Sequence, residues 1–442
     1  MAKAFPLPDG WQEKHADSLL LKNVKLCDPF VSTDIGKTDI YIKDGTIAAL
    51  GGEALQQKAD EVVDLNGKFV SPGWFDLHVH LREPGFEYKE TVETGLNSAL
   101  AGGFTGVACM PNTEPALDNA AVVKWLLDTA KTHPVGLSVI AAATKDRAGK
   151  ELTELADLAS IGVRGVSDDG APVADSGMVR RIMEYGSTFG IVFFSHAEEK
   201  SLVGKGVMNE SVWSTTLGLP GMPTVAEDVM VSRDILLAEY LDCRVHICHI
   251  SSARSVELVR EAQRRGVKVT CEATPHHFTL SLTDSAIESF STDLKMNPPL
   301  RSEKDVRAIH DGLRDGTISC IATDHAPHAP EEKELEFEYA PFGIVGLETA
   351  FGVANTELVK PKILSLTQTI EKFTKGPRIA LGIPENSVKV GNPAELTIFD
   401  PDFVWTVDKF HLHSKSRNTP FHGCELIGKA FGTVNKGCYY FV

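Results

Sequence analysis

Two imidazoles two residues apart, His78 and His80, close the apolar run Phe75-Asp76-Leu77-His78-Val79-His80. Side chains alternate across a strand, so both point to the same side. Their neutral ring nitrogens can share one divalent cation. Alone, the pair is equally well read as two polar residues at a strand mouth. Other apolar runs, however, end in Ser167-Asp168-Asp169-Gly170, Ser195-His196-Ala197-Glu198, Cys248-His249-Ile250-Ser251 and Thr323-Asp324-His325-Ala326-Pro327-His328. Singly these are core imidazoles, a turn or an N-cap. Together, four histidines and two aspartates at five strand ends make a nitrogen and oxygen ligand set too large for one tetrahedral ion. The set suits two ions sharing a carboxylate. Alternation lets only one of Asp168 and Asp169 face such a centre.

The elements that must position these groups recur with a clear rhythm. Strands are expected at Val70–His80, Thr105–Met110, Leu137–Ala143, Gly165–Asp168, Ile191–His196, Val245–His249, Val267–Glu272 and Ile318–Thr323. Helices are expected between them, at Ala120–Thr132, Gly177–Tyr185, Val225–Tyr240, Ser255–Arg265 and Glu303–Asp315. Strand and helix in alternation imply right-handed βαβ units and a parallel sheet. Eight such strands over roughly 250 residues match an α/β fold of the (β/α)8 TIM-barrel type better than an open sheet. Functional groups then gather at the C-terminal strand ends, which is where these lie. Residues 18–68 and 391–442 alternate instead like antiparallel strands with turn signals. Neither flank alone has enough strands for a stable sheet. The expected division is therefore a composite small β-domain from 1–69 and 385–442, with a barrel over 70–384.

The 442 residues are 43% hydrophobic, enough to bury a large core and a smaller second unit. A formal charge of −16 argues against nucleic-acid and anionic-membrane partners, which need clustered Lys and Arg. The opening Met1-Ala2-Lys3-Ala4-Phe5-Pro6-Leu7-Pro8 lacks the apolar core of a signal peptide. No run approaches the roughly 18 apolar residues of a membrane span. The eight cysteines include no C-x-x-C pair, and Cys109, Cys248, Cys271 and Cys320 lie in apolar strand-like runs. They read as reduced thiols of a soluble, cytoplasmic protein.

The run Pro72-Gly73-Trp74-Phe75-Asp76-Leu77-His78-Val79-His80-Leu81-Arg82-Glu83-Pro84-Gly85 resembles the opening signature of the dihydroorotases, within the amidohydrolase superfamily. Met110-Pro111-Asn112-Thr113, Lys295-Met296-Asn297-Pro298-Pro299-Leu300-Arg301 and Ala322-Thr323-Asp324-His325-Ala326-Pro327-His328 resemble that family's other signatures, in the same order. Many related amidohydrolases place a carboxylated lysine at the end of the fourth strand. This chain offers none there and resembles the branch with an aspartate in that place, by motif position Asp169, with Asp168 the fallback.

The resemblance implies reversible ring opening of dihydroorotate to N-carbamoyl-L-aspartate, run in cells toward closure for pyrimidine synthesis. It implies two zinc or similar divalent ions: His78, His80 and Asp324 at one, His196 and His249 at the other, Asp169 across both. Asp324 is the expected general base, passing a proton to the departing ring nitrogen. Arg82 is expected to pair bidentately with the substrate carboxylate; without that role it reads as a surface partner of Glu83 or Glu87. Asn112 and His328 would add donors, and Asn297 would meet a ring amide edge. Backbone at Pro341, Phe342 and Gly343 would approach the substrate from a loop whose glutamates, between Glu331 and Glu338, face solvent. His276, His277 and His325 are expected to play supporting or structural parts. Hydantoinases and allantoinases are the nearest rivals, but their substrates lack the carboxylate that Arg82 and Asn112 answer. A silent subunit scaffolding aspartate transcarbamoylase is a second rival, and it would be expected to have lost ligands. Homodimerisation and association with aspartate transcarbamoylase are both compatible with the resemblance.

Overall fold

Apolar runs too short to span more than a few residues alternate with capped helices in a computed structural model that describes residues 6–31, 36–282 and 290–442. The runs pair as a parallel sheet of eight strands: β1 (Trp74–Val79), β2 (Phe104–Cys109), β3 (Gly136–Ala142), β4 (Gly165–Ser167), β5 (Val192–Ser195), β6 (Val245–Ile247), β7 (Val269–Ala273) and β8 (Cys320–Ile321). Each neighbours the next in chain order. Parallel bridges Val79–His325 and His325–Ile344 carry the last segment back to β1, so the sheet is a nearly closed barrel. The sequence rhythm is visible in the helices too. Glu303–Asp315 forms as expected, boxed at its start by Ser302 and Asp305 and stopped at Gly316, whose φ is 87°. Asn119 and Ser252 cap the helices Ala120–Ala130 and Ala253–Arg264.

One expected strand divides. Val70–His80 is not continuous: Phe69–Pro72 pairs antiparallel with residues Leu396–Phe399 and parallel with Lys25 and Leu26, and only after Gly73 does β1 begin. The break has a steric cause. A Cβ on Gly73 would lie 2.1 Å from the Thr105 hydroxyl oxygen, so only glycine lets the chain pass β2 as it changes sheets. Phe69–Pro72 thus joins a nine-stranded sheet drawn from both ends of the chain. Its order is Gln12–His15, Cys438–Phe441, Glu425–Asn435, Leu396–Thr406, Phe69–Pro72, Ser18–Leu26, Gly36–Lys43 and Thr46–Leu50, with Glu61–Asp64 also paired to Ser18–Leu26.

Trp74, the first residue of β1, packs the barrel against that sheet. Its ring centroid lies 4.8 Å from Phe351, 5.3 Å from Phe399 and 5.6 Å from Phe373, with Phe104 at 6.1 Å. Rings stacked, tilted or edge-on at these separations pack favourably as well as burying area. This cluster anchors the N-terminal end of β1, so His78 and His80 at its other end are held against a fixed base. All eight cysteines are free thiols, and all but Cys424 are buried. Among the described residues no helix is long and apolar enough to cross a membrane.

Candidate metal centre

The C-terminal ends of β1, β4, β5, β6 and the segment after β8 converge. His78, His80, Asp169, His196, His249 and Asp324 are all buried there. His80 Nε2 lies 3.0 Å from Asp324 Oδ1, and His78 Nε2 lies 3.5 Å from that same oxygen. Asp169 faces all four rings: Oδ1 is 3.2 Å from His196 Nδ1, 3.5 Å from His78 Nε2 and 3.8 Å from His249 Nε2, while Oδ2 is 3.7 Å from His80 Nε2. Asp168 points the other way, accepting from the backbone N–H groups of Ala143 at 2.9 Å and Thr144 at 3.0 Å. Alternation along β4 therefore places Asp169, and not its neighbour, in the cluster.

The far side of each ring decides which nitrogen is free. His78 Nδ1–H donates to Glu272 Oε1 at 2.7 Å, and His80 Nδ1–H donates to Asn112 Oδ1 at 2.8 Å. Both rings thus turn Nε2 inward, where its lone pair is free once the ring is neutral, the pattern of metal-ligating imidazoles held by an outer oxygen. Burial alone would strip His78 of a proton, but Glu272 and Asp324 outweigh it and raise its pKa well above the ordinary value. Burial likewise acts to raise the Asp169 carboxyl, yet contacts with His196, His249 and His78 hold it well below the usual range. Three buried carboxylates around these rings call for positive charge, which protons on His78 and His196 or a bound cation can supply.

The residues fit a divalent cation on that chemistry. His78 Nε2 and Asp169 Oδ1 are buried and have no hydrogen-bond partner, and buried polar atoms without partners are costly. His196 Nδ1 and His249 Nε2 share a hydrogen bond at 2.9 Å, while His196 Nε2 and His249 Nδ1 are buried without a partner. Three groups here have donor atoms all within 4.8 Å of one another: His78, His80 and Asp324; His78, Asp169 and His249; and His78, Cys248 and Glu272. His78 belongs to all three.

Three of the converging residues carry left-handed backbone. Arg82 has φ 63°, His249 φ 32° and Asp324 φ 50°. Each such non-glycine residue costs about 1–3 kcal/mol and persists only where its surroundings overdetermine it. For His249 the surroundings are visible. Its backbone N–H donates to Glu272 Oε1 at 3.2 Å, and Ser251 and Ser252 just after it both donate to Glu227 Oε1 at 3.0 Å.

Around the cluster lie the other expected residues. Arg82 is buried and does not pair with Glu83 or Glu87, which instead accept from the backbone of Val92 and Gly85. Its Nε–H donates to the Pro327 carbonyl at 3.1 Å, and its Nη2 lies 3.4 Å from His328 Nε2. His328 is kept neutral by burial and by Arg82, and its Nε2–H donates to the Phe342 carbonyl at 2.8 Å. Asn112 links two ligands: its carbonyl takes His80, and its amide lies 3.4 Å from Asp169 Oδ2. Asn297 donates to Glu198, beside His196.

The segment after β8 is seated over Arg82 and His328 by two buried ammonium groups. Lys333 Nζ donates to the carbonyls of Pro341 at 3.0 Å and Gly343 at 3.1 Å, and Lys295 Nζ to those of Phe337 at 2.6 Å and Glu338 at 3.0 Å. Gly343 has φ 127° and a Cβ there would meet Ala326 Cβ at 2.6 Å, so the close seat against His328 requires glycine. Four of the glutamates face solvent as expected, but Glu332 turns in to pair with Lys89 at 2.8 Å. His277 bonds Thr274 and the Pro298 carbonyl, and His325 bridges Glu90 and the Gly346 N–H, so both are tied into the frame. His276 Nε2 is buried without a partner, and burial beside His277 lowers its basicity well below the ordinary value.

Glu272, Glu198 and Glu227 escaped the reading of the sequence. Glu272 sits inside an apolar strand, and the only local hint is a charged residue at a position that alternation assigns to the barrel interior.

Comparison with known proteins agrees with this geometry. Residues 67–255 match the dihydro-orotase-like family. The chain is 49% identical to a dihydroorotase of Pelotomaculum thermopropionicum over 95% of its own length and 97% of that protein's. It is 47% identical to a dihydroorotase of Acetivibrio thermocellus, with 95% and 98% covered. Among solved structures, L-hydantoinase from Arthrobacter aurescens superposes with a TM-score of 0.83 at 25% identity, covering 95% of each chain. Identity of 49% and 47% over 95% of its length places the chain: it belongs to the dihydroorotase family.

Proposed function

We propose that this barrel interconverts dihydroorotate and N-carbamoyl-L-aspartate on two zinc ions. The observation that carries the reading is Arg82, a buried guanidinium beside the ligand cluster whose contacts are a carbonyl and an imidazole. A buried cation without a carboxylate partner is costly, and a substrate carboxylate would supply the missing anion in bidentate geometry. His78, His80, Asp169, His196, His249 and Asp324 would hold the ions. When bound, such ions ionise water near neutral pH and polarise a carbonyl.

The chain's own groups then do the positioning and the proton transfer. Arg82 fixes the ring carboxylate, with Asn112 and His328 beside it. Asn297, whose amide nitrogen is committed to Glu198, keeps its carbonyl oxygen for the ring N–H. Pro341, Phe342 and Gly343 line the approach and exclude water. Asp324 accepts the proton of the attacking water as its oxygen joins the ring carbonyl carbon, and delivers that proton to the ring nitrogen as the C–N bond breaks. Closure runs the same path backwards. The free thiols suit a reducing compartment, consistent with placement in the cytoplasm.

An absorbance assay of purified protein with dihydroorotate, hydantoin and allantoin in parallel tests the reading. Turnover of dihydroorotate with little or none of the others is expected. Turnover of hydantoin or allantoin in preference to dihydroorotate would overturn it.

A further inference from the structure

Far along the chain from the barrel centre, a second set of metal-competent donors meets at the edge of the nine-stranded sheet. The edge strand Gln12–His15 pairs antiparallel with Cys438–Phe441, with Glu13 opposite Tyr440 and His15 opposite Cys438. Residues two apart share a face of a strand, and directly opposed residues share it across the ladder. Glu13, His15, Cys438 and Tyr440 therefore form one four-residue patch. The two strands come from opposite ends of the chain, separated by 423 residues at the His15–Cys438 pair.

The donors of the patch lie close enough together to share one ion. Cys438 Sγ lies 2.9 Å from His15 Nδ1 and 3.9 Å from His15 Nε2, while His15 Nε2 lies 3.1 Å from Glu13 Oε1. The sulfur, a ring nitrogen and a carboxylate oxygen all fall within 4.8 Å of one another. A tetrahedral zinc site with bonds of about 2.3 Å to sulfur and 2.0–2.1 Å to nitrogen and oxygen has ligand-to-ligand edges of roughly 3.3–3.6 Å. The Nε2 separations bracket those edges, and the His15 side chain, 72% exposed, is free to adjust. Cys438 and Tyr440 are buried beneath it. A carboxyl and a thiol thus flank one imidazole, the Tyr440 phenol lies beside both of them, and the ion pair of Glu13 among the described residues is with His15.

We propose that Glu13, His15 and Cys438 bind a thiophilic divalent cation such as zinc, with the Tyr440 hydroxyl or water in the fourth position. The ion would replace the thiol proton and fasten the edge strand Gln12–His15 to its neighbour Cys438–Phe441. It would act on the fold rather than on the reaction, and it does not depend on the function proposed above.

Cobalt substitution separates this site from the barrel. Chelated full-length protein titrated with Co2+ should develop a thiolate-to-cobalt charge-transfer band in the near ultraviolet. Cys438→Ser and, independently, His15→Ala should each remove the band and lower bound metal by one equivalent, with unchanged circular dichroism and unchanged turnover. Zinc added to chelated wild-type protein should raise its melting temperature more than that of either variant. A wild-type protein without the band, or variants that keep both the band and the full metal count, would overturn the proposal. Because both variants lie outside the barrel, failure here leaves the barrel reading standing.

Discussion

In the proposed reaction Asp324 is where ligation and proton transfer would meet; it lies 3.0 Å from His80 Nε2 and is held at φ 50°. Asparagine in its place keeps the shape and one oxygen donor but cannot take a proton. Asp324→Asn should therefore retain most of its metal by elemental analysis while turnover in both directions falls by about 10²–10⁴-fold, the usual share of a general base. Near-normal turnover would remove Asp324 from that role. Glu272 makes the opposite prediction. It touches His78 Nδ1 at 2.7 Å and also accepts from His246 Nε2 at 3.1 Å, standing behind the ligands rather than among them. Glu272→Gln should weaken metal binding by about 10–100-fold, and added metal should restore much of the turnover; a variant that stays inactive when saturated with metal would contradict this. Asp324 was legible because its neighbours Thr323, His325 and His328 mark a strand end rich in ligands. Glu272 was not, because its meaning depends on a ring 194 residues away.

Between residue and fold, the helix Val225–Leu241 shows how an element steadies the centre. Glu227, in its first turn, accepts from Ser251 and Ser252 N–H groups and pairs with Arg301 at 3.2 Å. One carboxylate thus ties this helix to the segment after β6, which carries His249, and to the segment before Glu303–Asp315. Burial acts to raise the Glu227 carboxyl, but Arg301 and the serines prevail and hold it below its ordinary value. A carboxyl depressed in the folded state stabilises it fully above the unfolded pKa of about 4.3, and the contribution is lost as pH falls through the folded value. Glu227→Gln should cost about 3–5 kcal/mol at neutral pH, as expected when a buried pair loses one member. In denaturant titrations of chelated protein, the gap between wild type and variant should stay constant from pH 7 to about 5 and narrow below about 4. A gap that widens on acidification would count against this assignment.

At the scale of the molecule, the barrel concentrates buried acceptors and lone pairs at one end and apolar packing around Trp74 at the other. Removing the cation leaves Asp169 and the imidazoles to balance each other with protons, so a ligand that binds only the folded barrel stabilises it by mass action. Free metal at a hundredfold excess over Kd contributes about 2.7 kcal/mol. Treatment with a strong chelator should accordingly lower the melting temperature by several degrees, and readdition of zinc should restore it. An unchanged melting temperature after verified metal removal would show that the cluster is not cation-stabilised.

Much of this was written locally. Alternating apolar runs and helix caps determine the (β/α)8 order, because strand period, helix period and capping act over a few residues. The donor types at the strand ends likewise determine that a cluster of nitrogen and oxygen donors able to hold cations gathers there. Tertiary structure alone decided the rest. Gly73 splits an apparently continuous strand because Thr105, on β2, leaves room for nothing larger. Glu272 orients His78, and Glu227 steadies the turn at His249, through contacts no neighbouring residue announces. The opposite ends of the chain bring Glu13, His15 and Cys438 together only because the edge strand Gln12–His15 pairs with Cys438–Phe441. Short-range periodicity is carried by adjacent residues, whereas burial, register and the free side of each imidazole are properties of pieces that meet only when the chain has folded.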